Sequence, residues 1–160
     1  AWPLPMPGEE ADKEARGRVV VIAGSRTMPG AAWLSAVATL RAGCGKVLVL
    51  TAASVAPGLA QTLPEARVVG LPDTGAGGFA GDEAASGTVA RALDEALDGD
   101  TGAVLVGPGM EDAKATVAMV AAVRRRADAH AIPVVLDAMA MQALESPSPA
   151  PRERAGGEAG

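Results

Sequence analysis

Five short apolar runs, each followed by a stretch of helical pattern, constrain this chain more than any other feature. They are Arg18–Ala23, Lys46–Leu50, Ala66–Leu71, Ala103–Val106 and Pro133–Leu136. Continuous β-branched and aliphatic runs of this kind suit strands covered on both faces. Between them the spacing predicts helices over 31–42, from Ser54 to about Leu63, from Asp82-Glu83 to about Leu97, and from about Asp112 to Ala129. Gly43 and Gly45 supply stop signals for the first of these, and residues 72–81 form a glycine-rich loop. Five strand–helix alternations imply an α/β fold, a parallel sheet with helices on both faces and right-handed crossovers. Ligands of such sheets lie beyond the carboxyl ends of the strands.

The length of 160 residues suits one domain with a real core. Residues 1–16 read as an irregular lead-in, 17–145 as a partial domain, and 146–160, rich in Pro, Ser and Gly, as a disordered tail. The net charge of −5 and three aromatic residues argue against nucleic acid as a partner. No run is long enough for a membrane helix, and Glu9, Glu10 and Asp12 stand where a secretory signal would be basic. A cytoplasmic protein is expected. One cysteine and one histidine exclude a disulfide framework and multi-Cys or multi-His metal sites. Cys44 reads as a small buried apolar residue, His130 as a helix-end residue, and Arg124–Arg126 as a solvated face.

Unusual residues gather where the predicted strands end. Gly24-Ser25 follows the first strand, and the helix near Ala31 aims free N–H groups at the same space, which would suit a phosphate or an ordinary strand–helix connection. Gly107-Pro108-Gly109 follows the fourth strand as a sharp turn, open to a phosphate or ribose contact. Asp137 ends the fifth strand. Its carboxylate could face a metal-bound water, a ribose hydroxyl or a helix N-terminus.

Taken together, Gly17–Ser25, Met28-Pro29-Gly30-Ala31-Ala32, Leu40–Val47, Leu63-Pro64-Glu65, Val106–Met110 and Val135–Ala138 resemble the carbohydrate-kinase-like family of NAD(P)H-hydrate dehydratases over about residues 10–145. The resemblance implies a ribokinase-like fold and repair of hydrated NADH or NADPH. In that chemistry ADP, or ATP, phosphorylates the added hydroxyl, with magnesium as the expected cation. Phosphate then leaves and the ring double bond returns. It also implies a homo-oligomer, and substrate contacts at Ala31 and Gly109, with Gly24, Ser25, Gly107 and Asp137 completing the site. No metal-ligating residue is assigned. Two departures stand out. Only Lys13 matches the family's His-Lys-Gly, and Met139 replaces a carboxylate after the fifth strand. The family's Thr-Pro-His-x-Gly-Glu segment, its lysine-containing nucleotide loop and its Gly-Ser-Gly-Asp motif, which carries the catalytic aspartate, have no counterpart here. The sequence is therefore expected to hold only the N-terminal part of such an enzyme, with little or no turnover of its own. A non-catalytic binding or oligomerisation module, and a small-molecule kinase of the same superfamily, are the alternatives.

Overall fold

Apolar strands that cannot satisfy their backbone alone are satisfied here by one another. The computed structural model describes residues 16–82 and 87–145. Strands β1 (Arg18–Ile22), β2 (Lys46–Ala52), β3 (Ala66–Leu71), β4 (Thr101–Val106) and β5 (Val134–Leu136) form one sheet in the order β3-β2-β1-β4-β5. Every neighbouring pair is parallel. Ile22 faces Leu50 on one side and Val106 on the other, which places β1 at the centre.

Alternation along β1 divides the core. Val20 and Ile22 pack with residues of α3 (Gly87–Ala96) and α4 (Ala113–His130). Val21 and Ala23 pack with Ala32 and Ala36 of α1 (Pro29–Arg41) and Leu59 of α2 (Ala56–Thr62). Helices therefore cover both faces, as the alternation predicts. Burying a side chain such as that of Ile22 contributes roughly 1.5–3 kcal/mol.

Helix ends follow local chemistry. Proline opens α1 at its first position, where a missing N–H is harmless. The Asp112 carboxylate accepts the Ala115 N–H at 3.0 Å and starts α4. That helix ends at Ala131 with a left-handed φ of 53°. Below the sheet, Arg18 bonds Thr101 Oγ1 at 2.7 Å and pairs with Asp98.

Several sequence expectations shift. Ser54 does not cap α2. Its backbone N–H and hydroxyl donate to the Asp73 carboxylate, at 3.2 and 3.1 Å, and Val55 stands at the cap without a side-chain bond. Asp82 is not helical, and α3 is described over Gly87–Ala96. Arg126 is not merely solvated, since it pairs with Asp94 at 2.8 Å. Cys44 is half-buried, its thiol donating to the Lys46 carbonyl at 2.9 Å. The lead-in over 1–15, Glu83 and the tail over 146–160 lie outside the described residues.

At one margin β5 has three residues and one partner. Val135 there is 56% exposed, and Met141 and Leu144 of the following 3-10 helix (Ala138–Leu144) are exposed too.

Candidate functional site

The strand order sets the place of the site. From β1 the chain winds outward through β2 to β3, then crosses back to β4 on the other side of β1. The connections leave β1 and β4 in opposite directions, so the candidate crevice is the ground above their carboxyl ends. Gly24 and Ser25 leave β1 there, and Gly107-Pro108-Gly109 leaves β4.

Backbone bonds join the two turns. The Gly24 N–H donates to the Pro108 carbonyl at 2.7 Å, and the Gly107 N–H to that of Ile22 at 3.1 Å. Gly109 has φ +67°, and a Cβ on it would lie 2.4 Å from the Ala31 Cβ. Gly107 has φ +126°, and a Cβ there would lie 1.9 Å from the Asp137 carbonyl oxygen. Both conformation and space demand glycine at these two positions. Asp137 closes the β5 side, its N–H bonding the Val106 carbonyl at 2.9 Å. Its carboxylate is exposed and does not cap the 3-10 helix it precedes. Gly24, Ser25, Ala31, Gly107, Gly109 and Asp137 thus gather at the carboxyl end of the sheet.

A polar cluster that the sequence reading missed lies along its rim. The buried Ser25 hydroxyl donates to Glu111 Oε2 at 2.5 Å and accepts the Met28 N–H at 3.1 Å. The Thr27 hydroxyl donates to the same Glu111 oxygen. Those two hydroxyls, Ser25 first, stabilise the charged form and hold the Glu111 pKa below its ordinary 4.5. The neighbouring Asp112 carboxyl is also held below its ordinary value, chiefly by the Ala115 N–H. The Arg26 N–H donates to the Gly77 carbonyl at 2.9 Å, tying the glycine-rich loop to the crevice.

This cluster changes what the β1–α1 loop can hold. An ionised Glu111 engages both hydroxyls, and the Ala31 N–H at the start of α1 is turned to the Met28 carbonyl at 3.3 Å. The spot suits a hydroxyl or amide donor better than a phosphate. Glu111 escaped the sequence reading because acids before a helix are ordinarily read as partners of its dipole. Among the described residues no three His, Cys, Asp or Glu side chains converge on a metal position.

The family model for NAD(P)H-hydrate dehydratase matches residues 19–155. The chain belongs to the NAD(P)H-hydrate dehydratase family. It is 47% identical over 141 residues to the ADP-dependent (S)-NAD(P)H-hydrate dehydratase of Xanthomonas campestris, covering 88% of this chain and 44% of that protein. It is 33% identical over 143 residues to a bifunctional NAD(P)H-hydrate repair enzyme of Moorella thermoacetica, covering 88% of this chain and 25% of that one. Among solved structures it is similar to the ADP/ATP-dependent NAD(P)H-hydrate dehydratase of Bacillus subtilis, co-crystallised with ATP and Mg2+. That match has a TM-score of 0.57 at 28% identity, over 86% of this chain and 42% of that one. A ribokinase-like superfamily protein from Enterococcus faecalis gives 0.58 at 26% identity, over 76% and 37%. The ribokinase-like fold is therefore shown. The chain spans less than half the length of these dehydratase-family relatives.

Proposed function

We propose that this chain forms the coenzyme-holding part of an ADP-dependent NAD(P)H-hydrate dehydratase, a carbon–oxygen lyase that repairs hydrated NADH and NADPH. The observation that supports the reading is the hydrogen-bonded meeting of the β1 and β4 turns at the carboxyl end of the sheet, with Gly109 against Ala31. Residues 17–145 are read as the partial domain that builds it.

The chemistry has a clear logic. Hydroxide leaves a saturated carbon poorly, whereas a phosphate ester leaves well. A nucleotide, ADP or ATP, gives its terminal phosphoryl group to the added hydroxyl of the damaged ring, which gives up its proton, and leaves as AMP or ADP. Phosphate then departs with the electrons of the C–O bond, the neighbouring carbon loses a proton, and the double bond returns. In this reading Ala31 and Gly109 present backbone to the damaged ring, Gly24 and Gly107 keep side chains out of its way, and Ser25 forms the floor. Asp137 accepts a hydrogen bond from a ribose hydroxyl. None of these groups supplies the phosphoryl-transfer machinery, so the catalytic residue is not assigned within the described residues. Magnesium would accompany the nucleotide, but the described residues do not build a cation site from three or more ligating side chains. The cytoplasm, where reduced nicotinamide cofactors are used, is the proposed compartment, and self-association is the proposed assembly.

Incubation of the purified chain with hydrated NADH and ADP, following recovery of the reduced-nicotinamide absorbance, tests this. The expected result is binding of the hydrated coenzyme with little or no recovery. Turnover of about 1 per second or more would show that the chain is a complete catalyst and overturn the partial-domain reading.

A further inference from the structure

A second hollow lies beside the crevice, above the carboxyl end of β2. It is an open groove of ≈ 680 Å³ between α1 and α2, bordered by Arg26, Gly30, Trp33, Ser54, Gly58 and Thr62. Its lining residues Arg26 and Gly30 adjoin Ser25 and Ala31 of the candidate site in the β1–α1 connection, so one extended ligand could lie across both. We propose that this groove receives the adenosine end of the dinucleotide whose damaged ring occupies the crevice, an inference that rests on the function proposed above.

Four observations support it. The volume lies in the range of small-molecule sites. Trp33 lines the groove and is 37% exposed, its indole N–H reaching toward the Thr62 carbonyl at 3.5 Å, and it offers an aromatic face for a base to stack on. Arg26 lines the groove and directly follows Ser25, so the pyrophosphate of a ligand spanning both would pass near it, and a guanidinium suits phosphate oxygens. The glycines supply the fourth. Gly30 and Gly58 both lie in helices, where glycine is disfavoured. Neither has positive φ, and a Cβ on either would meet nothing within 4 Å. Neither backbone conformation nor packing asks for glycine at these two positions, unlike Gly107 and Gly109. Their effect is to leave the groove clear.

Calorimetric titration of the chain with NADH, nicotinamide mononucleotide and ADP provides the test. NADH, the product of the proposed reaction, should bind at least about tenfold more tightly than the mononucleotide. Gly58→Leu, which fills the groove, and Trp33→Ala, which removes its aromatic wall, should each erase that advantage and leave the mononucleotide within about twofold. If NADH and the mononucleotide bind equally to the unaltered chain, or the advantage survives both substitutions, the groove assignment fails while the crevice reading stands. If ADP loses affinity in Gly58→Leu and NADH does not, the groove serves the co-substrate and the assignment is overturned. A change in sedimenting mass in Gly58→Leu, with NADH binding intact, would make the groove a contact between copies and overturn it equally. If neither NADH nor the mononucleotide binds, the function proposed above fails along with this inference.

Discussion

At the scale of single residues, two kinds of position decide the crevice. The first is a glycine that nothing else can replace. At Gly107 a methyl group would lie 1.9 Å from the Asp137 carbonyl oxygen, on a backbone with φ +126°. Gly107→Ala should therefore destabilise the fold by more than about 3 kcal/mol, measured as a lower urea midpoint. The second is a carboxylate whose charge is held by hydroxyls. Because the folded pKa of Glu111 is depressed, its contribution is full at neutral pH and is lost as pH falls through the folded value. Glu111→Gln, which can still accept both hydroxyls, should flatten the acid side of the stability profile between about pH 7 and pH 3. A profile parallel to that of the unaltered chain would rule this out. The glycines were legible in the sequence because they follow apolar runs. The role of Glu111 was not, since its partners Ser25 and Thr27 lie 86 and 84 positions away, and spacing within a segment says nothing of pairings that only the sheet creates.

Among the elements, the strands were the most legible, because runs such as Val19–Ile22 leave few alternatives to burial on both faces. Helix starts were less so. Asp82-Glu83 reads as an acidic first turn, yet Gly81 lies so close to α4 that a Cβ on it would be 2.0 Å from the Ala115 carbonyl oxygen. The chain is held against α4 at that point, and Asp82 is not helical. Ser54 offers the other lesson, a residue suited to capping that bonds a loop carboxylate instead. Asp112, near which the sequence places the start of α4, is its cap in the structure. Asp112→Ala should cost about 1 kcal/mol in denaturant unfolding, and Asp112→Asn should restore most of it, because the amide oxygen can still accept the Ala115 N–H.

For the molecule as a whole, the strand order predicts an order of local stability. β1 pairs on both sides and its residues Val20, Val21 and Ile22 are fully buried. Its amides should exchange with solvent most slowly, those of β2 and β4 next, and those of β3 and β5 fastest, as hydrogen exchange read by mass spectrometry would show. Equal protection of β5 and β1 would contradict this.

The β5 margin, which among the described residues pairs on one side only, also has a polarity. Every strand points the same way, so the rule of this sheet can be continued only by a strand entering from the same end. Two identical molecules meeting there about a twofold axis normal to the sheet would set their β5 strands antiparallel. That symmetric union would break the sheet's common direction at its seam, whereas a strand delivered by one more right-handed crossover would preserve it.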